Sequence, residues 1–163
     1  MPVAVLSSSL APQGFHFTVS TTVNATLQDA DRDCTFHLLF DLDPHVYADQ
    51  YELAQRPDYT SLLWGDTDLE RPVSAVHSNG SVLLVNAHEH IIPRGQATSP
   101  TLDVPLHVRY GKPSEPSETA FRRVTIKRPV GFFACVNDSE LLPSTNAATA
   151  ALFIICPRSG SST

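Results

Sequence analysis

Apolar and polar positions alternate over three stretches of this chain. Phe15, Phe17, Val19, Thr21 and Val23 alternate with His16, Thr18, Ser20 and Thr22. Cys34, Phe36, Leu38, Phe40 and Leu42 alternate with Thr35, His37 and Asp41, with Leu39 breaking the pattern. Leu102, Val104, Leu106, Val108 and Tyr110 alternate with Asp103, Pro105, His107 and Arg109. A period of two marks a strand with one buried face. The first two stretches, joined by the polar residues 28–33, predict an opening hairpin. Pro105 predicts an edge position for the third, because a proline has no N–H for a ladder.

Between these stretches the signals are shorter. Residues 47–54 are expected to hold one helical turn, and residues 59–64 form a brief apolar run. Residues 73–77 and 81–92 predict two strands around Asn79-Gly80, the strongest hairpin signal present. Residues 121–127 and 130–136, split by Pro129, predict the closing strands. No amphipathic helix of ordinary length is visible. About seven to nine short strands with regular turn signals predict an all-β antiparallel sandwich with little helix. The domain is expected over residues 14–137, with residues 1–13 disordered and residues 138–163 a disordered or atypical tail.

Composition agrees with short elements. The chain has 163 residues, enough for one core, with 13 prolines and only 17% charged residues. Its net charge of −6, with no basic stripe, sets nucleic acid aside. Asn24, Asn79 and Asn137 each open an N-x-S/T triplet, the acceptor pattern for glycosylation in a secretory compartment. Disulfides form in that compartment. Cys34 and Cys135 both sit in strand-like runs and are expected to bridge, leaving Cys156 over. Residues 147–156 are apolar except for Thr149, but ten residues are too few for a span, which needs about 20. The start of the chain lacks the basic residues of a complete leader. A soluble form, a fragment or a spliced form without a complete span is therefore expected.

Candidate chemistry is thin. Asp-x-Asp pairs occur at Asp29, Asp31 and Asp33, at Asp41 and Asp43, and at Asp66 and Asp68. Two such carboxylates hold a divalent cation in many sugar-nucleotide transferases, but here they read as polar turns. His88 and His90 share one strand face, with His77 or His107 as a conceivable third ligand. Without fixed spacing to a third ligand they read as solvent-facing, and no metal or other cofactor is expected. No nucleophile elbow, phosphate loop or zinc-protease helix is present. His107, Arg109 and Tyr110 read either as a solvated strand face or as a contact surface, for which Arg and Tyr are favoured anchors.

Several blocks in this order resemble a known family. They are Gly14-Phe15-His16, Cys34, the block from Tyr47 through Glu52 to Ala54, the block from Val104 through His107-Val108-Arg109-Tyr110 to Pro113-Ser114, and Arg128-Pro129-Val130 leading to Cys135. Over Gly14 to Cys135 the chain resembles the PIG-X family, phosphatidylinositol-glycan biosynthesis class X, and its fungal relatives. The resemblance implies a non-catalytic accessory subunit of GPI mannosyltransferase I on the lumenal side of the endoplasmic reticulum membrane. Such a subunit binds and stabilises PIG-M, the multi-spanning catalytic partner that transfers the first mannose of the GPI anchor. The chain is then expected to be no enzyme and to meet its partner through an exposed patch including His107, Arg109, Tyr110 and Pro113. The alternative is a secreted β-sandwich that binds a glycan or a protein.

Overall fold

A computed structural model describes residues 3–26, 34–88, 91–92, 96–111, 124–135 and 153–154. Its strands, numbered in chain order, form two antiparallel sheets over one core. The first sheet runs β1 (Val3–Gln13), β2 (His16–Thr26), β8 (Thr101–Val108), β4 (Val46–Tyr47), with β7 (Ala97–Thr98) on the end of β2. The second runs β10 (Phe153–Ile154), β9 (Val130–Cys135), β3 (Cys34–Leu42), β6 (Ser81–Ala87), β5 (Tyr59–Gly65). One short helix, α1 (Gln50–Leu53), follows β4. Asp49 caps it, its carboxylate accepting from the Tyr51 and Glu52 N–H groups, as an N-cap aspartate does.

The period-two stretches are the three principal core strands. Phe17, Val19, Thr21 and Val23 of β2 are buried, as are Phe36, Leu38 and Phe40 of β3, and Leu102, Val104 and Leu106 of β8. The all-β sandwich expected from the sequence is the observed architecture.

The pairing differs from the expected hairpins. β2 and β3 are not neighbours: β2 pairs with β1 and β8, and β3 with β6 and β9. Their apolar faces belong to one core from opposite sheets, which the same alternation serves equally well. The opening hairpin is instead β1–β2, eleven residues in register, turning at Gly14 with φ +67. The expectation that residues 1–13 are disordered is corrected accordingly for Val3–Gln13. Leu6 carries that strand into the core and lies against Gly131 of β9, across from the other sheet.

Residues 73–77 do not form a strand. Val73–Ala75 is a 3-10 turn, and both sides of β6 are already taken by β3 and β5. Asn79-Gly80 does turn the chain, the Gly80 N–H donating to the His77 carbonyl at 3.1 Å. Gly80 has φ +68, and a Cβ there would strike the Leu42 carbonyl oxygen, so only glycine fits. The strand expected to run to residue 92 ends at Ala87. Residues 124–127 of the expected 121–127 strand are not in a sheet, and residues 121–123 lie outside the described set. Pro105 sits where β8 has β2 on one side only, because β4 reaches just His107 and Val108. Within the tail, Phe153–Ile154 pair with β9; the remainder of residues 136–163 lies outside the described set.

Among the described residues no helix is long and apolar enough to cross a membrane.

Candidate functional site

Three of the blocks that carry the resemblance, those containing His16, Tyr47 to Glu52 and His107, meet in space at the end of β8, while Cys34 and the block leading to Cys135 lie in the other sheet. β4 pairs Tyr47 with His107, and their rings stack at 4.9 Å with planes 16° apart. α1 then turns Glu52 over the sheet, where its Oε2 accepts from the His107 Nε2–H at 2.8 Å. His16, opposite His107 on β2, packs edge-on against the same imidazole at 4.3 Å. A shallow cavity of about 160 Å³ lies beside this contact, bordered by His16, Thr18, Glu52, Arg56, Pro105 and His107. Arg56 approaches the second oxygen of Glu52 at 3.6 Å.

Arg109 extends the cluster to the 66–72 loop. Its guanidinium lies 4.8 Å from the Tyr47 ring centre. Its Nη1 donates to the carbonyls of Asp68 at 2.5 Å and Arg71 at 3.0 Å, and its Nη2 to that of Asp66 at 3.3 Å. Burial pushes its pKa down from the usual value, while Asp66, Tyr47 and Asp68 act in the opposite direction. Tyr47 is pushed up by burial, with Arg109 opposing.

His107 and Arg109 were expected on an open polar strand face. That exposure is corrected: they retain only 8% and 4% of their surface. The outward side of β8 is covered at this end by Tyr47, α1 and the 66–72 loop, and none of these adjoins β8 in sequence. Tyr110 is exposed, packing against the exposed Phe15 with ring centres 5.1 Å apart. Pro113 lies outside the described residues. Tyr47 and Glu52 were not singled out as site residues by the sequence. The only signal for them was membership of the Tyr-Glu-Leu block.

The other candidates are dispersed. Asp66 and Asp68 are held by Arg71, at 3.0 and 3.2 Å, and cap their own loop through the Asp68 and Glu70 N–H groups. Asp41 pairs with Lys127, while Asp43 accepts from the backbone and ring of His45. Asp29, Asp31 and Asp33 lie outside the described residues, as do His90, Asn137 and Cys156. No three His, Cys, Asp or Glu side chains come together in metal-binding geometry among the described residues. Asn24 is exposed on β2, its Oδ1 accepting from Ser99 at 2.6 Å, and Asn79 is exposed in its turn. Cys34 and Cys135 face each other across β3 and β9 and are joined by a disulfide.

A family model described as PIG-X / PBN1 matches residues 12–153. The chain belongs to the PIG-X / PBN1 family. It is 28% identical over 148 residues to Protein PBN1 of Gibberella zeae, covering 85% of this chain and 29% of that protein. It is 28% identical over 139 residues to Protein pbn1 of Aspergillus fumigatus, covering 77% of this chain and 28% of that one. With Protein pbn1 of Aspergillus oryzae the identity is 29% over 145 residues, 78% and 26% of the two chains. The chain thus spans less than a third of the length of these PBN1 relatives. No solved structure matches it. In the frame of the PIG-X / PBN1 domain, the cluster at His107 fastens β8 to the β4–α1 segment and to the 66–72 loop.

Proposed function

We propose that this domain is the lumenal part of a non-catalytic subunit serving GPI-anchor biosynthesis in the endoplasmic reticulum. It binds and stabilises the catalytic subunit of GPI mannosyltransferase I, a PIG-M-type protein with many membrane spans. The observation that carries this reading is the PIG-X / PBN1 match over residues 12–153. The geometry supports it in a second way. His107 spends its Nε2–H on Glu52 and Arg109 its guanidinium on the 66–72 loop, which suits a rigid scaffold.

Within this reading Tyr110, supported by Phe15, touches the partner, and His107 and Arg109 act behind it by fixing the end of β8. Asn24 and Asn79 are its glycan acceptors.

The test uses cells lacking the native subunit. The chain is expressed as it stands and with a membrane span appended. Co-recovery of the mannosyltransferase and return of GPI-anchored proteins to the cell surface are expected from at least the spanning version. If neither version recovers the enzyme or restores the anchored proteins, the reading is wrong. A secreted binding module then takes its place.

A further inference from the structure

The two outer faces of the sandwich differ sharply in chemistry. On the first sheet, the outward positions of β1, β2 and β8 are mostly polar, Ser7, Ser9, Thr18, Ser20, Thr22, Asn24, Thr101 and Asp103, with Val5, Ala11 and Pro105 scattered among them and Val5 63% exposed. On the second sheet, register aligns Leu62 of β5, Leu84 of β6, Leu39 of β3 and Val130 of β9 in one row across four strands. Trp64 and Val82 stand beside this row. Leu62, Trp64, Val130, Leu39 and Val82 keep 59%, 51%, 48%, 37% and 37% of their surface exposed. Next to the row lie Thr60, Asn86 and His37, with Phe132 stacked on His37, on one side, and the Asp41–Lys127 pair on the other.

Among the described residues this row departs from the usual antiparallel pattern, in which the outward positions of strands are polar. Five partly exposed side chains amount to roughly 400 Å² of apolar surface, the size of the largest patch on a typical monomer, which is often functional.

We propose that this row is the seat of one amphipathic helix from a partner protein, lying across the strands of the second sheet. The inference rests on the binding role proposed above and adds a second contact surface to it. Three physical arguments select the occupant. A symmetric dimer needs about 800 Å² from each copy, about twice what the row offers. An extended segment crossing the strands at a right angle would leave its own N–H and C=O groups unpaired over leucines, whereas a helix satisfies them internally. A lipid surface would have to take in the charged Asp41–Lys127 boundary as well. Four strands at about 4.8 Å spacing span ~14 Å, which about ten helical residues cover at 1.5 Å each.

The test places a photocrosslinking residue at position 62, and separately at position 20 on the hydroxyl-rich face, in the full chain within membranes. It also compares Leu62→Glu with Val130→Glu, made together, against Ser9→Glu with Ser20→Glu. Circular dichroism and thermal unfolding check the fold. If the glutamate pair unfolds the chain, Leu62→Ser with Trp64→Ser replaces it. Expected are crosslinks from position 62, and not from position 20, to a peptide with apolar residues at helical spacing in the mannosyltransferase subunit. At least tenfold less of that subunit should be recovered with the row variant alone. Wild-type recovery by a folded row variant overturns this inference and leaves the proposed function standing. Crosslinking to a second copy of the chain or to lipid also overturns it. No recovery by the wild-type chain, either as it stands or with a span appended, overturns the proposed function, and this inference with it.

Discussion

Glu52 and His107 stand 55 residues apart in the chain, and their side chains meet at 2.8 Å. One arrives on α1, the other on β8, and Tyr47 covers the imidazole that receives the contact. This contact closes the otherwise open edge of the first sheet, where β4 supplies only two residues.

Breaking it should therefore cost stability. Glu52→Ala leaves a buried imidazole N–H without its acceptor, a loss of about 1–2 kcal/mol. Glu52→Gln, which retains an acceptor oxygen, should lose less. Urea unfolding of the full chain ranks the two, and equal stability of Glu52→Ala and wild type would contradict the role given to this pair.

Arg109 ties three backbone carbonyls with one planar fork, which a lysine ammonium on a flexible stem does not reproduce. Arg109→Lys should behave nearly as badly as Arg109→Ala, each losing about 2–4 kcal/mol and loosening the 66–72 loop. Limited proteolysis reads the loop directly. Cleavage there should rise in both variants and stay unchanged in Tyr110→Ala, whose side chain is solvent-exposed.

The Cys34–Cys135 bond joins residues 101 apart in sequence. Closing a loop of that size limits the unfolded chain by about 3–5 kcal/mol on the chain-entropy account. A chain with both cysteines replaced by serine should melt well below wild type. Non-reducing peptide mapping should recover the two cysteines in one linked fragment, and free thiols at both positions would refute the bond.

Acid should weaken the fold through His37. Its ring stacks on Phe132 at 5.1 Å, and burial holds its pKa below the ordinary 6.5. The unfolded chain therefore binds the proton more readily. Its contribution is complete above about pH 6.5 and is lost as pH falls through the depressed folded value. His37→Gln should flatten the dependence of the urea midpoint on pH in that window. An unchanged slope would show that the imidazole titrates alike in both states.

Much of the fold was legible because strand burial is written locally. Phe17 to Val23, Phe36 to Phe40 and Leu102 to Leu106 each show their inward face through alternation, which follows from the geometry of one strand. Pairing was not legible in the same way. β2 and β3 carry equivalent patterns, and alternation does not say whether two strands lie side by side or face each other across a core. The strand expected around residues 73–77 failed for a related reason: a hairpin signal at Asn79-Gly80 reports a turn, and β6 had already found its neighbours on β3 and β5.

The site followed the same division. Sequence by itself determined the composition of the sandwich, the approximate places of its strands, and the blocks containing Tyr47, Glu52, His107 and Arg109, because these depend on residue type and short spacing. Tertiary structure decided that His107 and Arg109 are buried, that Glu52 is the partner of one and the 66–72 loop of the other, and that Leu62, Leu84, Leu39 and Val130 form a row. Each of those outcomes depends on register and on which elements cover which face, and these are set by contacts between residues far apart in the chain.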